Sequence, residues 1–139
     1  MAIITRRIRL RMSADTGMAD ITPQVQEAVK KSGLRNGIVT VFVVGSTGAV
    51  STIEYEPGLL KDFPRALERI APSDIDYEHH KTWHDDNGKS HVRATLIGPS
   101  IVVPFINEEL TLGTWQQIVL MNLDTSPRDR EIIIQIIGE

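Results

Sequence analysis

The stretch Tyr77–Arg93, YEHHKTWHDDNGKSHVR, gathers all four histidines of the chain with Asp85, Asp86, an Asn87-Gly88 turn and the cations Lys89 and Arg93. A hydrophobic core has no use for such a cluster, because titratable side chains are expensive to bury unpaired. Two kinds of chemistry fit it. Neutral imidazoles with a carboxylate can hold a divalent ion such as Zn²⁺ and leave a position for water. Alternatively, Lys89, His91 and Arg93, two apart along a strand, form a cationic row that binds a phosphate or carboxylate.

Two further groups of residues carry weaker signals. Gly45-Ser46-Thr47-Gly48 follows a β-branched run, and successive N–H groups in such a turn can form a concave anion nest. It lacks the Gly-Lys-Ser/Thr ending of a P-loop. Glu54 and Glu56, two apart in TIEYEPG, would share a strand face, where they bind a cation, pair with a basic strip or stay solvated. Near the histidines, that pair could complete a hard metal site. Trp115 with Gln116 and Gln117 reads as a packed corner.

These groups need a scaffold, and the chain predicts one domain over its 139 residues. Residues 3–12 alternate, with Ile8, Leu10 and Met12 on one face and Arg7, Arg9 and Arg11 on the other, as in a half-buried strand. Thr22-Pro23 opens a helix that Gly33 stops. Residues 37–44 and 49–56 read as a hairpin about the Gly45–Gly48 turn, the first strand fully buried. Leu60, Phe63, Leu67 and Ile70 recur at helical spacing. After the His-rich loop, His91–Gly98 alternates like a strand, and 101–106, 117–123 and 131–137 follow as strands. The last, EIIIQIIG, is apolar on both faces, which fits a central sandwich strand or a subunit contact. The fold expected is α+β: a β-sandwich of largely antiparallel strands with two flanking helices, in the order β-α-β-β-α-β-β-β-β.

Composition narrows the function. Apolar residues are 41% and charged residues 24% of the chain, and the net charge is −3, so no bulk positive charge is available for nucleic acid. There is no cysteine, hence no disulfide and no thiolate ligand or nucleophile. No apolar run approaches ~18 residues, so no membrane span is expected. MAIITRRIRLRM does not read as a signal peptide, and the expected location is the cytoplasm.

Three blocks together resemble the YjbQ-type family, also called the secondary thiamine-phosphate synthase family. They are GSTGAVSTIEYEPG (Gly45–Gly58), YEHHKTWHDDNGKSHVRATLIGPS (Tyr77–Ser100), and LGTWQQIVLMNLD with PRDREIIIQIIG behind it. The resemblance implies a homotrimer with a cleft near the subunit boundaries lined by the His/Asp/Asn loop, and a weak thiamine-phosphate synthase activity. In that transfer a thiazole phosphate displaces pyrophosphate from a pyrimidine methyl diphosphate. It implies a small phosphorylated ligand bound by Gly45, Ser46, Thr47, Lys89 and Arg93. It also implies a divalent ion, Zn²⁺ or Mg²⁺, at His79, His91 and Glu54, with Asp85, Asn87 and His84 as catalytic groups. Lys89 stands where the family often has a first His, and an ammonium cannot ligate, which moves the balance toward anion binding. The alternative is a trimeric ligand- or metal-binding protein without catalysis.

Overall fold

The structure is a computed structural model and describes residues 1–139. In chain order its elements are β1 (Ala2–Met12), β2 (Gly17–Asp20), α1 (Thr22–Ser32), β3 (Gly37–Val43), β4 (Gly48–Ile53), α2 (Leu59–Ile70) and α3 (Glu78–Trp83). They continue with α4 (Gly88–Ile97), β5 (Ser100–Ile106), β6 (Glu109–Leu110), β7 (Gln117–Asn122) and β8 (Arg128–Gly138). The strands form a five-stranded sheet, β1-β8-β3-β5-β6, and a three-stranded sheet, β2-β7-β4. All pairings are antiparallel, so the fold is α+β with a two-sheet core.

The apolar pattern explains the layers. Ile132, Ile134 and Ile136 of β8 face inward with Val39, Val41 and Val43 of β3 and meet Val50, Ile118 and Leu120 of the smaller sheet. Helix α1 closes this core with Val25, Ala28 and Val29. The other face of the smaller sheet, through Ala49, Val119 and Met121, packs under Leu67 of α2 and Ala94 of α4. Strand β7 is therefore buried on both sides. The five-stranded sheet is covered on one side only.

Several sequence expectations need correction. Residues 37–44 and 49–56 are not a hairpin: β3 and β4 belong to different sheets, and the Gly45–Gly48 turn carries the chain from one to the other. Nor is β3 fully buried, since Ile38 and Phe42 lie on the open face of its sheet. His91–Gly98 is not a strand but most of helix α4. Its buried residues, Lys89, Ser90, Arg93 and Ala94, recur with helical period, while Val92 and Leu96, which made the alternation look apolar, are 40% and 60% exposed. Part of the His-rich stretch is also helical, as α3, so four helices flank the sheets where two were expected.

Strand β4 stops at Ile53, so Glu54 and Glu56 do not form a strand pair. The Glu56 carboxylate instead accepts the Gly58 N–H at 2.8 Å and the Leu59 N–H, satisfying donors at the start of α2. The Arg7/Arg9/Arg11 face meets acids of its own chain: Arg7 pairs with Glu131 at 2.7 Å and Arg11 with Asp129 at 3.5 Å.

Ile134 sits fully buried at the centre of the sandwich. Ile134→Ala should therefore cost about 2–5 kcal/mol through lost burial and a residual cavity, read as a lowered urea midpoint at unchanged slope.

Candidate functional site

Three segments meet where the two sheets come together: the turn after β3, the start of α4 and the connection from β7 into β8. Between them lies a solvent-reachable hollow of about 410 Å³ with no apolar residue in its lining. Gly45, Ser46 and Thr47 form one wall, Asn87 and His91 another, and Asp124 with Arg128 and Arg130 the third.

Arg130 is only 5% exposed. Its Nε and Nη2 donate to Asn122 Oδ1 at 3.2 and 2.6 Å, and Nη2 also donates to Thr47 Oγ1 at 2.6 Å. Burial pushes its pKa down, Asp124 partly opposing this, though an arginine stays charged regardless. Nη1 has no acceptor within the chain and lies under Gly45. A Cβ built on Gly45 would stand 2.6 Å from that nitrogen, and φ of +124° is itself disfavoured for an L side chain. Glycine is thus required there twice over.

The Thr47 hydroxyl passes the chain of bonds on to Asp124 Oδ2 at 3.0 Å, and Arg128 Nε donates to the same oxygen at 3.0 Å. Burial alone would raise the Asp124 pKa. The Thr47 hydroxyl, the Arg128 guanidinium and the Thr125 N–H outweigh it, and the carboxyl is held below its ordinary range. No backbone or side-chain acceptor in the chain takes the N–H of Gly45, Ser46 or Thr47. Three consecutive donors therefore stand free at the hollow.

On the opposite wall the His91 and His79 rings stack with centroids 4.4 Å apart, tilted by 53°. Burial, and then the neighbouring His79, lower the His91 pKa, with Asp124 and Asp85 opposing, so the imidazole is neutral at pH 7. The Asn87 amide lies 3.2 Å from Asp85 Oδ2 and 3.1 Å from His79 Nε2, so its NH₂ end satisfies both. That leaves His79 Nε2 as an acceptor and ties Asp85 to the hollow through Asn87.

The structure thus brings Gly45, Ser46, Thr47, Asn87 and His91 together, with His79 and Asp85 behind them. It does not bring the rest. His84 is an exposed, left-handed cap at the end of α3 with φ of 55° and makes no side-chain hydrogen bond. Glu54 lies at the far end of β4, about 20 Å along the strand from Gly48, so it cannot join His79 and His91 around one ion. No three His, Asp or Glu side chains converge as a ligand set. The residues implied for a divalent ion therefore do not fit one.

Lys89 and Arg93 point the other way, into the protein. Lys89 Nζ donates to both oxygens of Asp15 at 2.9 and 3.0 Å and to Ser73 Oγ at 3.2 Å. Arg93 donates to the Ala71 carbonyl at 3.0 and 2.7 Å and to Glu68 Oε2 at 2.8 Å. Their expected role in anion binding is corrected: one turn apart on α4, they dock the helix against α2 and the loop after β1. His80 is structural as well, accepting the Gly88 N–H at 3.0 Å with Asp76 at 3.2 Å on its other nitrogen.

Asp124, Arg128 and Arg130 went unremarked as candidates. Their signal lies in NLDTSPRDR, a dense polar run between two of the most apolar strands, with Asn122 at a β7 position that would otherwise be apolar.

A sequence profile of the family described as UPF0047 protein YjbQ-like matches residues 6–139. A UPF0047 protein of Methanothermobacter thermautotrophicus is 41% identical over 139 residues, 100% of this chain and 95% of that one. Another, from Archaeoglobus fulgidus, is 36% identical over 92% of this chain and 97% of its own length. Among solved structures, a YbjQ-like protein of unknown function from Sulfolobus solfataricus superimposes with a TM-score of 0.93 at 34% identity, covering 99% of each chain. A hypothetical protein from Aeropyrum pernix gives 0.90 at 30% identity over 98% of this chain and 99% of its own.

Glu68 accepts from Ser73 Oγ, Ser73 N–H and Arg93, which hold its carboxyl at about 2 against an ordinary 4.5. A depressed acid stabilises the fold above its unfolded value. That contribution should drain away as pH falls from about 4.5 toward 2, in small measure because the group is half-exposed. Glu68→Gln should flatten this part of the urea-midpoint profile against pH and leave the neutral-pH profile parallel to wild type.

Proposed function

The chain belongs to the YjbQ/UPF0047 family, and we propose that it is an enzyme acting on a small phosphorylated molecule held in this hollow. One observation carries the reading: Gly45, Ser46 and Thr47, whose N–H groups have no acceptor in the chain, and Arg130, whose Nη1 has none, line one cavity. Consecutive N–H donors that lack a protein acceptor can converge on an anion, and an arginine adds charge-assisted bonds. Asp124 keeps Thr47 and Arg128 in place and is a positioning residue. His91, neutral and in the same cavity, is the group able to accept a proton from a bound substrate.

The transfer implied by the resemblance suits such a site. Displacing pyrophosphate develops charge on the departing oxygens, and preorganised donors stabilise developing charge best. In this reading Arg130 and the turn receive that charge, and Asn87 orients the ligand beside His91. The protein is proposed to work in the cytoplasm; no helix is long and apolar enough to cross a membrane.

Assembly as a homotrimer is proposed on a separate observation. On the open face of the five-stranded sheet, Phe42, Val102 and Ile106 are exposed, with Ile3 and Ile38 beside them. Large apolar side chains exposed together on one sheet face are more in keeping with subunit contact than with bulk water. Phe42→Glu should then lower the mass measured by light scattering to that of a single chain. A wild type already monomeric at micromolar concentration would refute the assembly.

The functional reading is tested by calorimetry with inorganic phosphate and by turnover of phosphorylated substrates. Arg130→Lys, which keeps a cation but loses the fork, should weaken phosphate about tenfold or more. His91→Ala should keep phosphate affinity yet lose about 10²–10⁴ in turnover. Wild-type turnover should fall on acidification only below the ordinary imidazole range, as His91 takes up its proton. Absence of both phosphate affinity and turnover in the wild type would sink it.

A further inference from the structure

We infer that the anion site continues into a second, uncharged compartment, and that the preferred ligand is a phosphate ester whose organic part carries no charge. The inference rests on the reading of the first hollow as an anion site and adds what lies beyond the phosphate.

On the other side of the Gly45–Ser46 turn, a second hollow of about 250 Å³ is lined by those two residues, Gly48, Ala94, Thr95 and Pro99. The two hollows share Gly45 and Ser46. They also share one face of α4. His91 borders the first and Thr95, one turn later, borders the second, with Thr95 Oγ1 donating to the His91 carbonyl at 2.8 Å. A ligand whose phosphate rests on the N–H groups of the turn can therefore run across it onto α4 without leaving the protein.

The two compartments differ in chemistry. Arg128, Arg130, Asp124 and Asp129 border the first, whereas no charged side chain borders the second. The Thr95 hydroxyl is already engaged within its helix, so it offers little to a charged group. A second phosphate placed there would lose water and find no partner. Combined, the compartments fall in the ~300–1,000 Å³ range of small-molecule sites, which favours a compact organic group over a polymer.

Calorimetry with three probes tests this: inorganic phosphate, phenyl phosphate and butane-1,4-bisphosphate. In the wild type, phenyl phosphate should bind about tenfold or more tighter than inorganic phosphate, and the bisphosphate no tighter than inorganic phosphate. Thr95→Trp, filling the second compartment from an exposed helix position, should cut the phenyl advantage below about twofold and leave inorganic phosphate unchanged. Leu96→Trp, one residue on and outside the compartment, should change neither. Equal binding of phenyl and inorganic phosphate in the wild type, or an advantage that survives Thr95→Trp, would overturn the second compartment while the anion site stands. No binding of inorganic phosphate at all would overturn the anion site itself.

Discussion

A guanidinium buried where two sheets meet must find acceptors, because an uncompensated charge in that position would cost several kcal/mol, on the order of 3–5. Arg130 finds them in Asn122, at the end of the smaller sheet, and Thr47, in the turn that joins the sheets. The requirement propagates. Gly45 must lack a side chain because the guanidinium lies under it, and Thr47 must direct its hydroxyl to Asp124 because its oxygen already accepts from Arg130. The turn is thereby fixed, with no acceptor in the chain for its N–H groups. It is less a loop that happens to be open than the cover of a buried charge.

Helix α4 supplies the opposite wall, and its two faces are held by different forces. Inward, Lys89 and Arg93 are spent on Asp15, Glu68 and the Ala71 carbonyl, with Ala94 in the apolar cluster between them and the sheet. That multi-point docking fixes the rotation of the helix. Outward, the same rotation sets His91 beside the turn and Thr95 beyond it. His80 and Asn87 steady the helix start, one by accepting the Gly88 N–H and the other by its backbone carbonyl, which takes the Ser90 and His91 N–H groups at 3.0 and 3.3 Å. Cations that look like ligand-binding groups in the sequence are thus the anchors that let a neutral imidazole border the hollow.

This explains which parts of the site the sequence discloses. The alternation of β1 and the apolar β8 are written in side-chain types whose environment follows from hydropathy, and they fold as the pattern indicates; the glycine turn is legible as a turn but not as the crossing between sheets that it makes. Helix α4 is different. Its buried face is Lys89, Ser90, Arg93 and Ala94, and hydropathy counts three of those as surface residues. With the true face disguised, the chance alternation of Val92, Ala94 and Leu96 mimics a strand. Reading that segment as a strand put Lys89, His91 and Arg93 on one side; a helix places them on two. Asp124 and Arg130 escape for a related reason: both meet Thr47, 77 and 83 positions away, and no local pattern encodes such a distance.

The strands β7 and β8 carry the same ambiguity to opposite outcomes. Both are apolar on two faces, and from sequence alone either could be a central sandwich strand. Helices α2 and α4 cover the second face of β7, so its surplus is spent inside the chain. Nothing in the chain covers the second face of β8, where Ile133 and Ile137 lie among Phe42, Ile38 and Ile3. Four helices are enough to cover the smaller sheet and the edge of the core but not the larger sheet as well. The anchoring of α4 by Lys89 and Arg93 commits it to the smaller sheet, and so the second face of the larger sheet stays open.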